Sequence, residues 1–116
     1  MTTETKKRLH DIRLAAEALV RFTEGITIAG FKSDEILQSA VERKLGIIGE
    51  AFVQLREADS LMAERFADLR KIVGMRNRLV HGYDQLDLDV VWDATVNHVP
   101  QLLEQVKSVL DAAGQG

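Results

Sequence analysis

The chain has 116 residues, 46% of them hydrophobic and 28% charged, with a formal net charge of −3. One domain spanning 1–116 is expected at this length, the acidic balance excludes a globally basic nucleic-acid footprint, and the lack of cysteine excludes a disulfide framework or a thiolate metal site. No apolar run reaches membrane-span length and the polar start, Met1 to Arg8, carries no signal-type apolar region, so a cytoplasmic protein without a membrane partner is expected.

In chain order, Lys6 to Thr23 predicts an amphipathic helix whose inner stripe is Leu9, Ile12, Ala16, Leu19, Val20 and Thr23. Gly25 stops it. Glu24 to Lys32 reads as a connector with Ile26, Ile28 and Phe31 turned inward. Ser33 is the expected N-cap of a second helix, with Asp34 and Glu35 in its first turn complementing the dipole. That helix runs to about Arg56, buries Leu37, Val41, Leu45, Ile48, Phe52 and Leu55, and carries Gly46 and Gly49 in its interior. Each interior glycine costs about 1 kcal/mol of helix propensity; a close helix–helix approach, with Gly74 as the facing residue, would offset that cost.

A break over Glu57 to Ser60 is followed by a short turn capped by Asp59 or Ser60. A third helix spans about Ala67 to Val80, with Gly82 as its stop and Asp84 to Leu86 as a loop. Asp87 caps the last helix, whose stripe is Leu88, Trp92, Thr95, Val99, Leu102, Val106 and Leu110. Pro100 interrupts it, predicting a kink near Asn97 or two abutting helices. The tail from Ala112 is expected to fray. Trp92 and Phe52 read as core, and His10 with Asp11 as a surface pair. The sum is an all-α antiparallel bundle of four to five helices, the last kinked at Pro100.

Chemistry concentrates on the third helix. Arg70, Lys71, Arg76 and Arg78 place four positive charges between Asp68 and Asp84 with no acid among them. Arg76 falls on the apolar seam with Leu69, Ile72 and Leu79, where a charge needs an acid, a carbonyl or a ligand anion. Glu50 is a candidate for that acid. Asn77 and His81 are four apart and share a face. A histidine can move a proton at neutral pH, a guanidinium can bind phosphate oxygens in bidentate fashion, and RNA carries its own nucleophile in the 2′-OH. By residue type alone, a solvated basic helix end fits as well as a catalytic cluster, and Tyr83 fits a core-edge aromatic.

The string Arg76-Asn77-Arg78-Leu79-Val80-His81-Gly82-Tyr83 resembles the R-x4-H-x-Y motif of the HepT-like branch of the HEPN superfamily. R-L-H-D-I-R at Arg8 to Arg13, I-I-G-E-A at Ile47 to Ala51, K-I-V-G-M-R-N at Lys71 to Asn77 and D-L-D-V-V-W at Asp87 to Trp92 agree in order and spacing. The loop from Arg56 to Phe66 departs from many relatives in having no proline. The resemblance, which covers nearly the whole chain, implies an all-α bundle that forms a homodimer or higher oligomer, with the motifs of two copies facing one cleft. It implies a metal-independent endoribonuclease, needing no cofactor, that acts as the toxin of a toxin–antitoxin pair. The partner would be an MNT-type nucleotidyltransferase that transfers AMP to Tyr83. By the same carry-over Arg76 and His81 are catalytic and Asn77 supports them. Arg70, Lys71 and Arg78 are expected to bind RNA phosphate. The alternative is a non-catalytic HEPN subunit that binds nucleotide and a partner nucleotidyltransferase.

Overall fold

The computed structural model describes residues 1–80 and 87–114. Their regular structure is entirely helical: α1 (Thr3–Thr23), α2 (Ile28–Lys32), α3 (Glu35–Ala58), α4 (Ser60–Ala63), α5 (Leu69–Val80), α6 (Leu88–Asp93), a π-helical turn (Ala94–His98) and α7 (Val99–Ala112). The predicted all-α architecture is the one observed.

The helix starts follow from short polar side chains satisfying backbone donors. Thr2 caps α1, its Oγ1 accepting from the Thr5 amide at 3.1 Å, so α1 begins three residues before the expected Lys6. The Glu24–Lys32 connector contains a helical turn of its own. Thr27 caps α2 by accepting from the Gly30 amide at 3.1 Å. Ser33, expected to cap the next helix, lies at the end of α2 instead; the cap is Asp34, whose Oδ1 accepts from the Leu37 amide at 3.0 Å. Asp59 both ends α3 and caps α4, accepting from the Met62 amide at 3.0 Å. Gly25, just past α1, adopts φ +73°, a left-handed backbone that favours glycine.

α3 is the central element. It packs against α1 on one side and α5 on the other, while α1 also contacts α7. Leu9, Ile12 and Leu19 of α1, Leu45, Ile48, Phe52 and Leu55 of α3, Ile72 of α5, and Leu102, Val106 and Leu110 of α7 are fully buried. Phe52 meets Phe66 edge-on at a centroid distance of 5.6 Å. Phe31 turns inward as expected and lies 5.1 Å from the half-buried Trp92. Ile26, Ile28 and Val20 do not: each is more than a third exposed. For Ile26 and Ile28 the reason is local, since α2 folds the connector so that only Phe31 faces the core.

The irregularity expected at Pro100 takes a specific form. Proline has no N–H, and in a regular α-helix its ring crowds the carbonyl four residues back. Here the turn preceding it is widened: the Val99 N–H bonds to the Ala94 carbonyl, a five-residue step, and α7 then starts with Pro100 in its first turn. Thr95 is buried inside this turn, its hydroxyl donating to the Val91 carbonyl at 2.8 Å.

Candidate active site

The seam between α3 and α5 is closest at Gly49. A β-carbon built there would lie 2.1 Å from the Arg76 β-carbon and 2.7 Å from its γ-carbon. The glycine is therefore what lets α5 bring the base of Arg76 against α3. The expected partner of that approach, Gly74, faces away: it is exposed, with nothing within 4 Å of its own β position.

From this contact the Arg76 side chain reaches along α3. Its Nη2 pairs with the Glu50 Oε2, and its Nη1 donates to the Asn77 Oδ1 at 2.9 Å. The Glu50–Arg76 pair answers the question of what accompanies a charge on an apolar seam. The Arg76 side chain retains 23% exposure and Glu50 44%, so solvent screens the pair and its worth to stability is about 0–1 kcal/mol. Its larger consequence is orientation: two guanidinium nitrogens are fixed. The Arg76 Nε is buried and finds no acceptor among the described residues. Asn77 is exposed, and its Oδ1 accepts from the arginine, which leaves the amide nitrogen turned outward.

Glu50 also lines a shallow groove of about 210 Å³ on the outer face of α3, shared with Arg43, Gly46, Ile47, Ala51 and Gln54 and with Asp11 of α1. The acid thus links Arg76 to an open groove. Arg70 and Arg78 are exposed on α5. Lys71, expected to share their phosphate-binding role, is engaged elsewhere: its Nζ lies 2.8 Å from the Asp93 Oδ2 and 3.2 Å from the His98 Nε2. The expected positions of His81 and Tyr83, the stop at Gly82 and the loop to Leu86 lie outside the described residues. Among the described residues no group of three or more His, Cys, Asp or Glu is arranged to hold a metal ion, and no helix is long and apolar enough to cross a membrane.

The profile of the ribonuclease HepT-like family matches residues 12–109. The chain belongs to the ribonuclease HepT-like family. A candidate RNase of Caldanaerobacter subterraneus subsp. tengcongensis is 32% identical over 104 residues, covering 88% of this chain and 90% of that one. A candidate RNase of Methanocaldococcus jannaschii is 32% identical over 108 residues, 91% of this chain and 96% of the relative. A probable ribonuclease HepT of Thermococcus cleftensis is 33% identical over 102 residues, 88% and 92% of the two chains. No solved structure matches at a comparable level. Membership places the chain among endoribonucleases of the HEPN type.

Missing from the sequence-based reading was the polar cluster that holds the start of α5. His98 donates from Nδ1 to the Asp68 Oδ1 at 2.6 Å, and Asn97 donates to the Asp93 Oδ1 at 2.7 Å. The donation from Lys71, then that from Asn97, holds the Asp93 carboxyl down to about 2. Asp68 and His98 are thirty residues apart, so no local spacing marks them.

Proposed function

We propose that this ribonuclease is the metal-independent toxin of a toxin–antitoxin pair, cleaving RNA at a cleft shared by two copies of the chain. In the reaction the 2′-OH attacks the adjacent phosphorus as the bond to the 5′-oxygen breaks. The products are a cyclic phosphate and a free 5′-OH, so one proton must leave the 2′-oxygen and one must reach the 5′-oxygen. His81 serves as the acid or base for one of these transfers, a role worth about 10²–10⁴ in rate. Arg76 stabilises the charge on the phosphoryl oxygens. Asn77 orients the guanidinium, and Arg70 and Arg78 draw the RNA backbone. The observation that supports the reading is the Glu50–Arg76–Asn77 arrangement: a guanidinium held by two side chains, five residues before His81 in the R-x4-H-x-Y string.

Silencing is the second half of the proposal. A partner nucleotidyltransferase of the MNT type transfers AMP from ATP to the Tyr83 hydroxyl, releasing pyrophosphate. The adduct places a phosphate and a nucleoside two residues from His81 and competes with RNA for Arg76.

The test uses the purified chain and a structured RNA. Wild type is expected to leave cyclic-phosphate ends in the presence of EDTA, and His81→Ala to lose about 10²–10⁴-fold of that rate. If wild type and His81→Ala leave RNA equally intact, catalysis is ruled out. Incubation with the partner and ATP should add one AMP to wild type and none to Tyr83→Phe.

One observation favours a second reading. Arg76 is already neutralised by Glu50 in the isolated chain. A non-catalytic subunit that binds nucleotide and docks the nucleotidyltransferase needs no free guanidinium. It predicts a tight complex and ATP binding without RNA cleavage.

A further inference from the structure

α5 carries Arg76 and Asn77, and its apolar packing is onto α3. At its beginning it is held by a different device. Asp68, whose carbonyl accepts from the Ile72 amide at 3.1 Å to open the helix, presents its carboxylate to the His98 Nδ1 at 2.6 Å. One turn on, Lys71 meets both the Asp93 Oδ2, at 2.8 Å, and the His98 Nε2, at 3.2 Å. The Asp93 Oδ2 lies 3.4 Å from the same Nε2. The Asp68 carboxylate accepts from Nδ1, while Nε2 faces both the Lys71 amine and the Asp93 carboxylate.

The widened turn before Pro100 is what makes this cluster geometrically available. Asp93 and His98 are five apart, and on a regular α-helix they would point roughly 140° away from each other. Across a π-turn, with more residues per turn, the same separation is roughly 50°. Asp93, Asn97 and His98 therefore share one face, and that face is turned to the start of α5. Pro100 and the widened turn lie next to a buried Thr95.

We propose that His98 is a positioning residue for the ribonuclease site: from the π-turn it fixes the start of α5 through Asp68 and Lys71, and thereby sets where Arg76 and Asn77 stand. The role in cleavage rests on the proposed function; the brace on Arg76 does not. α5 is then clamped at two points, to the π-turn at its beginning and to Gly49 and Glu50 of α3 one and a half turns further on. Removing the first leaves the packing on α3 alone to define the helix axis.

The buried Arg76 Nε–H provides a readout that needs no activity. Shielded from water, it should give a resolved amide-type NMR cross-peak, assigned by its loss in Arg76→Lys. In His98→Ala that peak is expected to shift or broaden, and amide exchange over 69–80 to accelerate, with exchange in α1 and α7 unchanged. His98→Asn keeps a donor near the Nδ1 position and should restore both. In RNA cleavage, His98→Ala should lower kcat about ten- to a hundredfold, the scale of a misplaced catalytic group, with KM within about twofold. An unchanged Arg76 peak in a folded His98→Ala overturns the proposal. So does an altered peak with wild-type kcat, because the brace would then be structural only. Should His98→Ala not fold, Asp93→Asn breaks the Lys71 side of the cluster and is read the same way. If the wild type cleaves nothing, the ribonuclease reading fails, while the Arg76 peak still decides whether His98 positions the arginine.

Discussion

Gly49 and Glu50, neighbours on α3, act on Arg76 by different physics. Gly49 gives space. A methyl group there would overlap the Arg76 β-carbon, which is fixed to the backbone and cannot swing aside. Gly49→Ala is expected to destabilise the protein by about 1–3 kcal/mol, the range for overpacking, measured as a lowered urea midpoint. Some gain in helix propensity offsets this only in part. Gly74→Ala, with nothing near its β position, should be neutral to stabilising by up to about 1 kcal/mol. Glu50 gives direction. Glu50→Gln keeps shape and one acceptor but removes the charge; stability should move by no more than about 1 kcal/mol. If the proposed catalysis is correct, kcat should fall while substrate binding holds or tightens, since a competitor for the guanidinium is gone. Single-turnover cleavage with both variants separates the effect of space from that of charge.

At the scale of elements, the π-turn and the start of α5 form one unit. Its ionic part has a definite pH signature. Asp93 titrates in the folded chain at about 2, below the ordinary carboxylate value near 3.9 that it regains on unfolding. Between those values the unfolded chain binds more protons. Stability from this group is therefore complete above the unfolded value and is lost as pH falls toward 2. In denaturation curves from pH 2 to pH 5, Asp93→Asn should show a shallower slope than wild type. Equal slopes would mean that the Lys71 and Asn97 contacts do not persist in solution. Pro100 belongs to the same unit. Pro100→Ala restores a backbone donor and removes the reason for a wide turn; if the turn then tightens, Asp93 and His98 part, and the Arg76 resonance should respond as it does to His98→Ala.

For the whole molecule, the arrangement of α1, α3 and α5 leaves the outer face of α3 as an open groove from Asp11 to Glu50, beside Arg76. If the cleft is shared between two copies, as the family resemblance implies, mixing inactive Arg76→Ala and His81→Ala chains should recover part of the cleavage rate in hybrid dimers. A site confined to one chain would give none.

Sequence periodicity alone determined that the molecule is helical, where its long helices lie and, on those long helices, most of the leucines and isoleucines that fill the core. These follow from a 3.6-residue apolar repeat and from caps within a few residues. Arg76 could also be singled out, because its seam position is a matter of phase. Tertiary structure decided which residues answer it. Glu50 was only one acid on a flank until α3 and α5 were packed, and Gly74, expected to face the glycines of α3, could not be told from Arg76 as the residue that meets Gly49. The brace of Asp68, Lys71, Asp93 and His98 was invisible, because it joins positions thirty residues apart and depends on a widened turn. Local spacing encodes local faces; a charge network across helices exists only once the helices have been set side by side.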